Sequence, residues 1–250
     1  MRCPAGIDRR WRRAFSSPGF VRRGQSGSVN RTSDLRITYF LDVTSSWCWW
    51  AEPAWIALKD EFRDRATFDW KIALMDPAGY PTSRSQCDWF YRRSGTLVRS
   101  AEMLNSGWWE SGLGEYLAAN LVPEAARDLG FPDDRVRLAV AHAGLREGRR
   151  ISDWNLCAAV AASVTGLPAE QILERARSPE VEARVREDTK TFHSFRATQR
   201  PSFLLENRIG DRAMVSGLVS TAPLRALAES MLSDVAGYAS FAAHFGEPPK

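Results

Sequence analysis

The residues best placed for chemistry form one short run, DVTSSWCWW, at positions 42–50. Two cysteines at C-x-x-C spacing form a reversible disulfide, and here Ser45 stands where the first cysteine would be and Cys48 where the second would be. A serine hydroxyl cannot be oxidised to a disulfide, so a dithiol cycle between these two positions is excluded. The hydroxyl can instead donate a hydrogen bond to the thiolate of another molecule. Cys48 can still act as a lone thiol.

The elements around this run would place Ser45 at the start of a helix. Residues 36–43 are rich in β-branched and aromatic side chains, which predicts a strand. Ser45 and Ser46 are good N-cap residues for a helix that continues through Phe62. The N-terminus of a helix favours an anion, because its backbone N–H groups are unpaired and the helix dipole is positive there. A thiolate held at this point would therefore be stabilised.

The rest of the chain predicts an α/β fold that is split by a helical segment. A second strand pattern lies at residues 66–74, and two short strands flank a turn at residues 206–210. A helix is predicted from Thr221 to Leu232. The predicted organisation is a basic extension (1–35), a strand-helix-strand half (36–82), a helical insertion (83–194), a second half with hairpin and helix (195–233) and a C-terminal tail (234–250).

Charge is concentrated at the N-terminus. Residues 1–36 contain nine Arg and two Asp, a net charge of +7, whereas the whole chain carries +4, which leaves −3 for the other 214 residues. The basic body expected of a nucleic-acid-binding protein is therefore absent, and we expect no nucleic-acid partner. We interpret the Arg-rich and Ser-rich start as a disordered extension or an over-long translation start; the alternatives are a transit peptide and an arm that binds RNA or an anionic surface.

Cysteine and histidine usage argues against a metal site and a secreted location. No two of the four cysteines have the spacing of paired zinc ligands, and the three histidines are far apart in sequence. Scattered cysteines also suit a reducing compartment. No apolar run is long enough to span a membrane. We therefore expect a cytoplasmic protein without a metal or a membrane partner.

Several segments together resemble the DsbA-like branch of the thioredoxin superfamily. The run at 42–50, followed by Pro53, is similar to family members that read D-x-x-C-S-W-C-W with a later proline. The resemblance extends to LREGRRISD at 145–153, to the helix ending in Gly-Leu at 159–167, to Arg200-Pro201-Ser202-Phe203 and to Val215-Ser216-Gly217. It covers about residues 36–233. It implies a thioredoxin fold with a large all-helical insertion, in which Pro201 is the cis-proline.

The serine also resembles that of the glutathione-using relatives, the kappa-class glutathione transferases and 2-hydroxychromene-2-carboxylate isomerases, which read S-P-Y-S here. The resemblance implies that Ser45 holds a glutathione thiolate and that the backbone of Arg200, before Pro201, pairs with the peptide part of glutathione. Those relatives carry an acidic residue after the last strand that meets the γ-glutamyl amine, and residues 215–220 contain none. The cofactor is therefore glutathione or another low-molecular-weight thiol.

Aromatic and basic residues near the run suggest the kind of substrate. Trp47, with Trp89, Trp108 or Trp109, would form the wall of an apolar cleft suited to an aromatic or flat substrate. Arginines of the insertion would suit a carboxylate on that substrate, namely Arg84, Arg92, Arg93 and Arg99. His193, eight residues before Pro201, could approach the site as an acid or base.

Three functions follow from the residues and the resemblance. The leading hypothesis is a thiol-dependent transferase or isomerase with Ser45 at its centre, acting on a small molecule. The second is a monothiol disulfide oxidoreductase that works through Cys48, and the third is a binding protein that has lost the chemistry. A homodimer is possible in each case. The predicted catalytic residues are Ser45 and Cys48, and the predicted binding residues are Ser46, Trp47, Trp49, Arg200, Pro201, Ser216, Trp89 and Trp108.

Overall fold

Strand β1 (Leu35–Leu41) is central in the protein's sheet, and every residue in it except Arg36 is buried. The computed structural model describes residues 33–246, so most of the predicted basic extension, and its disorder, lies outside the described residues. β1 pairs in parallel with β2 (Ala66–Ile72) and antiparallel with β3 (Ser202–Asn207), which pairs antiparallel with β4 (Arg212–Ser216). The strand order is therefore β2-β1-β3-β4.

Eight α-helices complete the described part of the chain, and six of them lie between β2 and β3. They are α1 (Ser46–Glu61), α2 (Arg84–Leu97), α3 (Leu117–Asp128), α4 (Arg135–Ala141), α5 (Trp154–Thr165), α6 (Ala169–Ala176), α7 (Pro179–Ser194) and α8 (Thr221–Phe245). A π-helical turn, His142–Arg146, extends α4. The predicted α/β class with a helical insertion is confirmed.

The last helix is longer than the sequence pattern suggested. A helix ending at Leu232 and a tail from residue 234 were predicted, but α8 continues to Phe245. Residues 233–245 contain four alanines, the residue with the highest helix propensity, and no proline that would stop the helix. The helix ends where Gly246 adopts a φ of 79°, a conformation that glycine adopts without steric cost.

Aromatic side chains pack on both faces of β1 and bring the two halves of the fold together. On one face, Tyr39 stacks on Phe203 of β3 with ring centroids 4.8 Å apart, and Trp55 of α1 lies 5.3 Å from the Tyr39 ring. On the opposite face, Phe40 packs against Phe192 of α7 at 5.8 Å. Because successive residues of a strand point to opposite faces, β1 is covered by α1 on one side and by α7 on the other.

A buried group of charges connects α1 to α4. Arg137 of α4 donates to both carboxylate oxygens of Glu52 in α1 and to Asp134, the residue before α4. Asp134 also accepts from Lys59 and from the indole N–H of Trp55. Burial alone would raise the pKa of Asp134, but Arg137 and Lys59 outweigh that effect and lower the pKa to about 2. Asp134 therefore remains ionised, whereas burial raises the pKa of Glu52. The hydrogen bonds of the group hold α1 against α4.

Candidate active site

Ser45 caps α1 at the exit of β1. Its backbone is extended, with φ of −76° and ψ of 120°, and its Oγ accepts a hydrogen bond from the backbone N–H of Cys48 at 3.3 Å. Of the two serines predicted as caps, Ser45 therefore fills the role and Ser46 begins the helix. Ser45 is 7% exposed. The first turn of α1 contains no acidic side chain, so the positive end of the helix dipole is not neutralised there.

Asp42 fixes the loop that carries Ser45, a role that sequence reasoning missed. Its buried carboxylate accepts from the backbone N–H of Thr44 at 2.8 Å, from the Thr44 hydroxyl at 2.6 Å and from the backbone N–H of Met75 at 2.8 Å. The Asp42 carbonyl also accepts from the Ser45 N–H at 3.0 Å. Asp42 thus joins the end of β1 to the segment after β2. The available signal was an acidic residue between the apolar Leu41 and Val43 at the end of the predicted strand.

Cys48 lies in the first turn of α1 with its side chain turned into the core. It is 3% exposed, and the Tyr39 hydroxyl donates to its backbone carbonyl at 3.0 Å. Burial raises the pKa of the Cys48 thiol to about 12, although a hydrogen bond with Ser45 works in the opposite direction. A thiol in this state is neutral at physiological pH, and a neutral thiol is a poor nucleophile.

We expect Cys48 to be alkylated by iodoacetamide at pH 8 on the order of a thousandfold more slowly in the folded protein than after unfolding. The reason is that each unit by which the pKa rises lowers the thiolate fraction tenfold, and the ordinary value is near 9. Mass spectrometry of Cys48-containing peptides measures the rate, with Cys157, whose pKa burial also raises to about 12, as an internal reference. A native Cys48 pKa below 9 would contradict this expectation.

The loop before β3 carries Arg200 and Pro201, which are joined by a cis peptide bond. Ser216 is near this loop: its Oγ donates to the Gln199 carbonyl at 3.0 Å and lies 2.9 Å from Ser202 Oγ. The backbone N–H of Gly217 donates to the Pro201 carbonyl at 2.8 Å. The predicted residues 200, 201 and 216 therefore lie in one hydrogen-bonded group.

The Arg200 side chain connects this loop to the segment after β2. Its Nε donates to the Ala73 carbonyl at 2.6 Å, and its Nη2 donates to the Leu74 carbonyl. The guanidinium carbon lies 4.5 Å from the centre of the Phe192 ring, and the residue is 8% exposed. Sequence reasoning gave Arg200 a role through its backbone only. The structure shows that its side chain positions the neighbouring wall as well.

A pocket of about 660 Å³ opens between these segments. It is lined by Ser45 and Trp47 of the α1 N-terminus, by Met75 and Asp76 of the segment after β2, and by residues 198–200. Three predicted site residues, Ser45, Trp47 and Arg200, therefore share one cavity. His193 lies near its edge, with Nε2 4.0 Å from Asp76 Oδ1.

Of the tryptophans predicted to lie at the site, Trp47 lines this pocket and the others do not. Trp108 is 1% exposed, and its indole N–H donates to the Tyr91 hydroxyl at 2.7 Å inside the insertion. Trp89 is 51% exposed on α2, with the Arg93 guanidinium 5.0 Å from its ring. Trp49 is buried with its ring 6.1 Å from that of His142.

Two further predictions for the site also need correction. Ser46, the first residue of α1, is half-buried and does not line the pocket. The insertion arginines that were expected to bind a carboxylate are exposed and do not line the pocket either; Arg84, for example, donates to the Gly107 carbonyl. Within residues 33–246 there is no group of three or more His, Cys, Asp or Glu that could hold a metal ion.

The comparisons with known proteins agree with this architecture. The family described as DSBA-like thioredoxin domain matches residues 36–228, and the chain belongs to this family of thioredoxin-fold oxidoreductases. No curated protein matches. None of the helices in the described region is long and apolar enough to cross a membrane.

Solved structures show the same fold at low sequence identity. A proposed protein disulfide isomerase from Nitrosomonas europaea is 15% identical with a TM-score of 0.66, over 81% of this chain and 99% of that one. The cytosolic disulfide reductase DsbM from Pseudomonas aeruginosa is 17% identical with a TM-score of 0.64, over 79% and 98%. A structure of DsbM with GSH has a TM-score of 0.62 at 17% identity, over 79% and 99%.

Proposed function

We propose that the protein is a thiol-dependent transferase or isomerase in which Ser45 holds the thiolate of glutathione or a similar low-molecular-weight thiol. One observation carries the proposal: Ser45 lines a pocket at the N-terminus of α1, whereas Cys48 is buried away from solvent with a raised pKa. The position of the first cysteine is thus accessible to a ligand and the only other sulfur of the motif is not. The working sulfur must then come from a ligand.

The environment of Ser45 suits a thiolate. A hydroxyl that donates to a charged sulfur contributes about 1.5–3 kcal/mol, which corresponds to a fall of about one to two units in the pKa of the ligand's thiol. The α1 N-terminus adds positive potential, since no acidic side chain lies in its first turn. The thiol's proton passes to solvent, and the sulfur remains as a nucleophile at neutral pH.

The chemistry that follows needs no redox partner. In transfer, the sulfur lone pair forms a C–S bond to an electrophilic carbon, and the leaving group departs with its bonding electrons. In isomerisation, the thiolate adds to a conjugated double bond whose π electrons move onto the conjugated carbonyl oxygen. Rotation about the resulting single bond follows, and the thiolate leaves with the C–S electrons. The thiol is consumed in the first reaction and regenerated in the second.

Support for glutathione in particular comes from the pocket and from a structural neighbour. DsbM, which shares the fold, was solved with GSH. The pocket also contains a carboxylate, Asp76, which could meet the ammonium group of a γ-glutamyl thiol. This would replace the acidic residue that is missing from residues 215–220. The apolar side chains of Trp47 and Met75 suit an aromatic or conjugated substrate beside the sulfur.

The proposal is tested by titrating the thiol of glutathione in the presence of the protein. Thiolate absorbs in the ultraviolet, and we expect the bound thiol to ionise about one to two units below the free thiol. Cys48 will not interfere, because its pKa lies near 12. Ser45→Ala should abolish the shift, and Ser46→Ala, one residue on and outside the pocket lining, should retain it. An unchanged thiol pKa in the wild-type complex would refute the proposal.

A further inference from the structure

Arg200 carries a buried positive charge that no carboxylate in residues 33–246 pairs with. Its Nε and Nη2 donate to the Ala73 and Leu74 carbonyls, which are neutral acceptors. By contrast, the more deeply buried Arg137 is paired with two carboxylates. A buried charge is costly unless it is compensated, and among the described residues the partners of the Arg200 charge are two carbonyl dipoles and the Phe192 ring.

The third nitrogen of this guanidinium, Nη1, is available to a ligand. Among the described residues Nη1 has no protein acceptor. It is also not a fully buried atom, because the side-chain polar atom of the described residues that is both buried and without a partner is Glu124 Oε2. Nη1 is therefore in contact with solvent rather than sealed in the core. Arg200 lines the pocket that also contains Ser45, so a ligand in this pocket can reach both side chains.

The charges around the pocket favour an anion on the Arg200 side. Ser45 and Trp47 lie at the N-terminus of α1, where the helix dipole is positive. No acidic side chain lies in the first turn to neutralise this positive potential. The carboxylate of the pocket, Asp76, is 68% exposed and lies 4.0 Å from His193. It is therefore solvated at the edge of the pocket.

We propose that Arg200 binds a carboxylate of the thiol ligand through Nη1, so that the site selects acidic thiols over neutral ones. This inference rests on the proposed function, because it concerns the same pocket and the thiol held by Ser45. The arrangement has a second consequence. The carboxylate of the ligand would compensate the charge of the Arg200 guanidinium, which also donates hydrogen bonds to the Ala73 and Leu74 carbonyls. Binding would thereby stabilise this wall of the pocket.

The test compares glutathione with its diamide, in which both carboxylates are replaced by carboxamides of nearly the same shape. Binding to the wild-type protein is measured by calorimetry. We expect the diamide to bind at least about tenfold more weakly, the factor expected for the loss of one charge-assisted hydrogen bond. Arg200→Met should remove the preference, and Arg200→Lys should keep part of it. The matched control is Arg92→Met, which removes the same charge from an exposed site on α2.

The outcomes separate the two proposals. Equal affinity for glutathione and its diamide would overturn the inference and leave the proposed function standing. A preference that survives in Arg200→Met would also overturn it, since the selecting charge would then lie elsewhere. If neither compound binds, the proposed function and this inference fail together. The comparison in the wild-type protein stands even if Arg200→Met does not fold.

Discussion

Ser45→Ala is expected to lower thiol-dependent turnover by about 100-fold or more, whereas Cys48→Ala should retain most of it. Removing one donor that stabilises charge in an active site typically costs a factor of about 10² to 10³ in rate. Ser45 is the hydroxyl at the α1 N-terminus that lines the pocket. Turnover is measured as conjugation of glutathione to a chlorodinitrobenzene, in which the thiolate displaces chloride.

Control variants separate the chemistry of Ser45 from its role as a helix cap. Loss of an N-cap costs about 1 kcal/mol of stability. Ser83 caps α2 in the same way, accepting from the Gln86 N–H at 3.1 Å, and lies outside the pocket lining. Ser83→Ala should therefore destabilise the protein by a similar amount and leave turnover unchanged. Ser45→Thr keeps both cap and hydroxyl and should retain activity.

The alternative role for Cys48 makes the opposite prediction. If Cys48 were the working sulfur, Cys48→Ala would abolish activity and Ser45→Ala would leave it largely intact. The Ser45 side chain lowers the pKa of the Cys48 thiol without overcoming the effect of burial. The hydrogen bond that Ser45 Oγ accepts comes from the Cys48 backbone N–H, which Cys48→Ala keeps. A loss of activity in Cys48→Ala would thus favour the monothiol hypothesis.

The parts of the fold that the sequence predicted are those set by local patterns. The β1 strand, the cap at Ser45 and the start of α1 follow from β-branched and aromatic content, capping chemistry and periodicity within about 20 residues. The family resemblance supplied the position of Pro201 relative to Ser45. These two pieces were enough to place Ser45 and Arg200 in one site.

The side chains that shape the pocket wall had no such local signal. Arg200 contacts carbonyls at residues 73 and 74, more than 120 residues earlier, and Asp42 contacts Met75 across 33 residues. Such contacts depend on how two loops meet in three dimensions. The local sequence of neither loop specifies where it lies relative to the other.

The tryptophans illustrate the same limit. A large aromatic residue near a motif can face a cleft, a core or solvent, and composition does not distinguish these cases. Trp47 faces the pocket, Trp108 is in the core of the insertion and Trp89 is on its surface. The insertion helices were predicted as a class, but their rotation relative to the sheet was not. That rotation decides which aromatic side chain reaches the site.

Arg137→Met is expected to lower the free energy of unfolding by about 3–5 kcal/mol, the largest effect on stability that we predict. Removing one partner of a buried ion pair leaves the other charge uncompensated. Here the variant would leave two buried carboxylates, Glu52 and Asp134, with Lys59 as the remaining nearby cation. Urea unfolding at pH 7 measures the change. Arg135→Met, two residues away in an exposed pair with Asp133, should cost less than about 1 kcal/mol.

The same variant should change how stability depends on pH. In the folded protein the pKa of Asp134 is about 2, below its ordinary value of 3.8, so its contribution is present above pH 3.8 and is lost as the pH falls towards 2. Without Arg137 that pKa should rise, and the acid-dependent part of the stability should shrink. Wild-type and variant curves would then converge at low pH. Curves that stay parallel from pH 7 to pH 2 would show that Arg137 acts through packing against Tyr39 and Trp70 rather than through charge.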